Sequence, residues 1–256
     1  MKKHHLYQTC TANASVKETE PQHWRLNIPG GPAGVYRLAQ FDDYRDLRRS
    51  DFPWEPPVTI RLQARCSAPD LPGTWGFGLW NDPFSLKLGL GGGARKFPAL
   101  PQAIWFFFAS PPNYLSFRDD LPAVGALAAT FSSRKVSPLL LGSGAPFLPV
   151  LFLRPAARLF RRLAQSFIKQ SAVHLEHDPT RWHDYEINWQ NDNSIFSVDG
   201  QTALETPISP SGPLGLVVWI DNQYAALPPD GKLGWGTLEN EDSWIEVKDL
   251  EIRNEE

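Results

Sequence analysis

Asp221, Asn222 and Gln223 close an apolar run, Leu214 to Ile220, and Trp80, Asn81 and Asp82 close another that begins at Trp75. A carboxyl group at the end of a buried strand loses hydration. That raises its pKa and suits it to general acid–base work near neutrality. Asp82 and Asp221 are therefore the candidate catalytic groups, with Asn81, Asn222 and Gln223 as candidate hydrogen-bonding partners of a ligand. The competing reading is that polar residues at strand ends only cap loops. Trp80, Trp105, Phe107, Tyr114 and Trp219 offer flat apolar faces that stack on sugar rings or enclose an isoprenoid. Aromatic residues at strand positions also build cores, but ten Trp is generous for packing alone.

Other chemistry is less well placed. His174, Glu176, His177, Asp178 and His183 have the residue types of a metal site. His174 and His177, however, fall on opposite sides of a strand, so no metal is assigned there. Gly89 to Arg95 (GLGGGAR) reads as flexible loop, and without a Lys-Ser/Thr ending or a βαβ setting it is a poor phosphate cradle. No Ser-His-Asp or Cys-His arrangement has a recognisable context.

The elements that must position these groups are strands. From Arg181 to Asn222 the chain alternates, turns and alternates again: Tyr185, Ile187 and Trp189 point one way, Asp184, Glu186, Asn188 and Gln190 the other. Asn191-Asp192-Asn193 and Asp199-Gly200 supply the turns. Val58, Ile60, Leu62, Ala64 and Cys66 alternate with polar residues in a further strand, and Ile104 to Ala109 (IWFFFA) is apolar on both faces. The glycines of WGFGLW, 75–80, mark a close backbone approach or a ligand-facing surface. Asp42 to Arg49 (DDYRDLRR) reads as a charged loop or short helix with a solvated face. In the last strand Leu250 and Ile252 are out of phase with Ile245 and Val247, which a bulge near Lys248-Asp249 would correct.

Residues 136–170 break the β pattern. Pro155 opens an amphipathic helix with Leu159, Phe160, Leu163, Phe167 and Ile168 on one side and Arg158, Arg161, Arg162 and Lys169 on the other. Either the element packs as a lid, or its basic side meets anionic head groups at a membrane surface. Residues 1–20 read as a polar lead-in and 21–256 as one domain carrying this insertion. A net charge of -3 argues against a chain devoted to nucleic acid. Two cysteines are too few for a disulfide framework, and Cys66 reads as a small buried side chain. The first residues, MKKHHLYQTCTANASVKE, lack an apolar core, so no secretory signal is read and a cytoplasmic location is the expectation.

The order WGFGLW (75–80), AIWFFF (103–108), H-x-Y-x-I-x-W (183–189), F-x-V-D-G (196–200), GPLGLVVWIDN (212–222) and WIEVKDLEI (244–252) resembles the concanavalin A-like lectin/glucanase superfamily. Within it, the laminarinase- and lichenase-type family 16 glycoside hydrolases are most similar, over roughly residues 24–117 and 173–253. The resemblance implies an all-β jelly-roll sandwich of two curved antiparallel sheets with a ligand groove on the concave one, here with a helical insertion. It leaves room for a structural calcium and implies no other cofactor. The hydrolases of that family carry an E-x-D-x-x-E strand whose carboxylates stand about 5 Å apart in a retaining mechanism. The corresponding region here, IWFFFASPPNYLSF, has no carboxylate. The expectation is a non-hydrolytic sandwich binding a small molecule or glycan, carbohydrate first, in an aromatic groove. The alternative is a cyclase, isomerase or hydratase acting on an apolar, lipid- or terpenoid-like molecule beneath the insertion.

Overall fold

The computed structural model describes residues 5–11, 13–83, 99–143 and 145–255, so the Gly89–Arg95 loop lies outside the described residues. The chain opens with β1 (Tyr7–Cys10), β2 (Ser15–Glu20), β3 (His23–Ile28) and β4 (Leu38–Asp42). It continues with β5 (Val58–Cys66), β6 (Thr74–Trp80), β7 (Ala103–Ala109) and β8 (Gly125–Ser133). Then come α1 (Pro138–Ser143), a 3-10 segment (Ala145–Phe152), α2 (Arg154–Phe167) and β9 (Ile168–His174). β10 (His183–Trp189), β11 (Ser194–Val198), β12 (Gln201–Thr206) and β13 (Gly215–Asp221) follow. β14 (Gln223–Ala226), β15 (Gly234–Thr237) and β16 (Ser243–Asn254) end the chain.

Two seven-stranded sheets result, ordered β1-β4-β13-β6-β7-β8-β9 and β12-β11-β10-β5-β16-β3-β2, beside a small β14-β15 ribbon. Every pairing within the two sheets is antiparallel. This is the jelly-roll sandwich that the resemblance implies. Ile60, Leu62, Tyr185, Ile187 and Trp189 of the second sheet meet Trp75, Phe77, Ile104, Phe106 and Val218 of the first in the core between them. Trp75 lies flat on Phe108 with ring centroids 3.6 Å apart, so this Trp is a core residue.

The period of two also decides what the first sheet shows on its other face. Leu38, Phe107, Leu127, Val217 and Trp219 point away from the sandwich core and form a second apolar cluster. A sheet apolar on both faces needs cover on both. That second face is where a cavity forms.

Several expectations are met and others corrected. The bulge in β16 is present: register shifts between Lys248 and Glu251, with Asp249 at φ 55°. Cys66 is buried and unbridged. Residues 7–20 are no loose lead-in, because β1 pairs with β4 and β2 with β3. Nor is DDYRDLRR simply solvated. Asp42, Asp43 and Tyr44 are buried, and the Asp43 carboxylate accepts from Trp54 Nε1 at 2.7 Å and from the Leu216 N–H at 2.8 Å.

The H-x-Y…VDG signature proves to be a clasp. His183 Nδ1 lies 2.6 Å from Asp199 Oδ2, and the Asp184 N–H donates to Asp199 Oδ1 at 2.9 Å. His177 Nε2 stands 2.6 Å from the Tyr185 hydroxyl. His177 and His183, two of the histidines that suggested a metal, thus make hydrogen bonds that hold β10 and its hairpin. Among the described residues no group of three or more His, Cys, Asp or Glu is arranged to hold a metal ion.

Candidate functional site

A cavity of about 170 Å³ opens on the outer face of the first sheet. Its wall is made by outward positions of three adjacent strands: Val217 and Trp219 on β13, Trp80 on β6, Trp105 and Phe107 on β7. The aromatic rings form one connected group. Trp105 lies 5.6 Å from Trp219 and 5.6 Å from Phe107, and 6.0 Å from Trp80, centroid to centroid. Leu115 and the β14 residues Tyr224 and Ala225 close the rim.

The strand β6 runs beneath two of these indoles and explains its own glycines. A Cβ at Gly76 would sit 2.8 Å from Trp219 Cη2, and one at Gly78 would sit 2.6 Å from Trp105 Cβ. Both spacings are shorter than van der Waals contact, and the Phe106 and Ile104 carbonyl oxygens come closer still, so β6 has no room for a side chain beneath the Trp219 indole or against the β7 backbone. Gly76→Ala should therefore cost about 2 kcal/mol, the usual range for overpacking, and displace Trp219. Urea unfolding followed by tryptophan fluorescence measures both effects. A stability unchanged within about 0.5 kcal/mol would mean that the close approach does not constrain this residue.

Polar groups gather on the other side of the cavity, where β13 ends. Asp221 sits opposite Thr74 in register. Its Oδ1 accepts from the Thr74 hydroxyl at 2.7 Å, the Thr74 N–H at 3.2 Å and the Gln223 N–H at 3.3 Å. Its Oδ2 accepts from the Tyr36 hydroxyl at 3.4 Å. Trp219 Nε1 donates to Thr74 Oγ1 at 3.0 Å, so a hydrogen-bonded chain links the aromatic wall to the carboxylate. Burial outweighs these donors and pushes the Asp221 carboxyl up to about 7. Burial raises the Tyr36 phenol as well, reinforced by the Asp221 charge. Tyr36 is thus held as a neutral donor beside a carboxyl that exchanges its proton near neutrality.

The structure brings together Trp80, Trp105, Phe107, Trp219, Asp221 and Gln223 from the residues expected on sequence grounds. It places the others elsewhere. Asp82 is buried behind the wall at φ 47°, with its carbonyl held by Arg49 and its charge facing that arginine. Asn81 ties the strand end, donating to Leu100 O at 2.9 Å and accepting from the Gln102 N–H at 3.0 Å. Asn222 is fully buried and clasps two segments, one through the Arg37 N–H and Val35 O and the other through Leu238 O. Tyr114 is paired with α2 instead, its ring 5.3 Å from the Arg161 guanidinium carbon. Tyr36, Gln40 and Thr74 also line the cavity and were not singled out beforehand. For Thr74 a signal existed in its position immediately before WGFGLW, since residues two apart on a strand share a face with Trp80.

The insertion also differs from its expected orientation. Arg161 and Ala157 are the buried residues of α2, while Leu159, Phe160, Leu163 and Phe167 are exposed. Arg161 therefore cannot meet head groups as the basic-face reading required. It donates to Ser116 O at 2.7 Å, Leu227 O at 2.7 Å, Arg118 O at 3.0 Å and the Asp119 carboxylate at 2.7 Å. Lys169 belongs to β9, not to the helix. Among the described residues, none that lines the cavity comes from 136–170.

No protein-family model matches the chain, and no curated protein is similar to it in sequence. Solved structures are similar in fold. A β-glucanase of Bacillus licheniformis aligns with a TM-score of 0.50 and 10% identity, over 100% of this chain and 94% of its own. A family 16 endo-glucanase from Bacteroides ovatus, in complex with G4G3G-2F-DNP, gives 0.50 and 10%, covering 98% and 96%. The κ-carrageenase zobellia_236 of Zobellia galactanivorans gives 0.50 and 11%, covering 94% and 82%. The likeness is one of fold: the chain shares the two-sheeted β-sandwich of these structures.

Proposed function

We propose that this protein binds a carbohydrate ring in the aromatic cavity without hydrolysing it. The observation that carries the proposal is the cavity's two-sided lining. One side is the Trp105–Phe107–Trp219 wall, and the other is the edge made by Tyr36, Asp221 and Gln223. A pyranose has the same division, with C–H groups on its face for an aromatic ring and hydroxyls at its rim for a carboxyl or amide. About 170 Å³ suits a single ring rather than an extended chain. Glycosidic cleavage needs two carboxyl groups about 5 Å or more apart across the bond. Asp221 is the single carboxylate among the described residues lining the cavity. Neighbours of the same fold named as glucanases and a carrageenase make glycans the first class to test.

A second reading rests on a different observation. The wall is chiefly apolar, and Asp221 carries a proton that it can give up near pH 7. An enzyme acting on a compact apolar molecule would use Asp221 as its general acid or base. Titration of the full chain with gluco- and galacto-oligosaccharides, and separately with isoprenoid alcohols, distinguishes the two by tryptophan fluorescence. Glycan binding weakened about tenfold by Trp219→Ala is the expected result, from loss of ring stacking. A response to isoprenoid alcohols with none to glycans would replace this reading with the second.

A further inference from the structure

The apolar face that α2 leaves outside is unusual for a soluble surface. Leu159, Phe160, Leu163 and Phe167 are spaced to lie along one side of the helix, and they are 59%, 44%, 53% and 40% exposed. The preceding 3-10 segment packs against α2 and adds Phe152, 64% exposed, whose ring meets that of Trp235 at 5.2 Å. Isolated exposed apolar residues need no explanation, but a contiguous set on adjoining elements marks an interaction surface.

The charge around this face says what covers it. From residue 121 to 175 the sequence contains no Asp or Glu, although acidic residues outnumber basic ones in the whole chain, 28 to 25. Arg134, Lys135, Arg154, Arg158, Arg162 and Lys169 are all exposed within that span. The single buried cation, Arg161, turns inward and anchors α2 to the body. A second copy of this chain would bring two rims of the same sign together. An apolar centre edged by cations instead matches an anionic bilayer surface, where side chains enter the acyl boundary and arginines stay among the phosphates. None of the described helices is long and apolar enough to cross a membrane, so contact would lie in the interface plane.

We infer that the 134–169 segment docks this protein on anionic lipid bilayers through the exposed face of α2 and the Phe152–Trp235 pair. The patch adjoins the cavity. Trp235 on β15 is paired with Ala225, which lines the cavity rim on β14. Docking therefore sets that rim close to the head groups, whichever ligand the cavity takes.

Co-sedimentation of the full chain with vesicles tests this, using equal parts phosphatidylcholine and phosphatidylserine against phosphatidylcholine alone. Wild type is expected to pellet with the mixed vesicles and to be released by salt. Phe160→Asp with Leu163→Asp, and separately Arg154→Glu with Arg162→Glu, should each lower partitioning about tenfold or more. Their thermal midpoints should stay at the wild-type value, because these side chains are exposed. Wild type remaining in the supernatant overturns the inference, as does equal pelleting with neutral vesicles. Self-association abolished by the same substitutions, with no vesicle binding, overturns it in favour of a dimer face.

Discussion

Asp221→Asn is expected to abolish a fall in stability of roughly 4 kcal/mol that the wild type undergoes as pH rises from about 4 to 7. The carboxyl titrates at 3.8 when solvated and at about 7 in the fold, because burial raises it more than its donors lower it. Between those values the folded chain keeps a proton that the unfolded chain has released. Stability contributed by this group is therefore complete below pH 4 and is lost as pH climbs through 7. Each pH unit in the window costs about 1.4 kcal/mol, so about 3 kcal/mol should disappear between pH 5 and 7. Asn keeps the shape and an acceptor for the Thr74 and Gln223 donors, and the Tyr36 hydroxyl can turn to accept from its amide. Asp43 is also raised by burial to about 7 and imposes a pH dependence of its own, which the variant retains. The quantity to measure is accordingly the difference between wild type and variant, from urea midpoints at pH 5, 6 and 7. Parallel curves would show that Asp221 is solvated or ion-paired in solution, and would remove it as a proton carrier under either functional reading.

What the sequence disclosed about this site follows from what periodicity can encode. Alternation along β13 and β7 told which residues share a face, and Trp105, Phe107, Trp219 and Asp221 do share one. The glycines at 76 and 78 announced a close approach, and what approaches is the β7 backbone at both positions, joined by the Trp219 indole at Gly76. Periodicity could not tell which of two strand ends opens into a cavity. WND and DNQ look alike as strings, yet Asp82 turns behind the wall toward Arg49 while Asp221 turns into the cavity. That difference comes from the neighbours across the sheet and from the loop that follows, which no local pattern contains. Tyr36 was missed for the same reason, since it precedes β4 and reaches Asp221 only through the pairing of β4 with β13.

The larger misreading concerns α2, and Arg161→Met is the substitution that exposes its cause. An amphipathic stripe is ordinarily read as facing the core, because burying apolar area is the dominant gain. Here the contact face is Ala157, Arg161, Ala164 and Gln165, small or polar residues one turn apart. Three backbone carbonyls, of Ser116, Arg118 and Leu227, converge where the helix docks, and a guanidinium satisfies all of them while pairing with Asp119. Buried carbonyls without donors are costly, so the fork of one arginine outweighs a modest apolar stripe. Met fills similar volume and donates nothing. The expected loss is about 2 to 3 kcal/mol, from carbonyls left without their donor, since the Asp119 carboxylate is exposed and returns to water. It should be local, with faster amide exchange in 154–167 and 116–119 and little change in β5 or β10. Arg161→Lys should recover less than half, because one ammonium cannot reach three carbonyls and a carboxylate at once. If Met instead leaves exchange in α2 as slow as in the wild type, the helix is held by something other than this side chain, and the outward orientation of Phe160 and Leu163 would need a different cause.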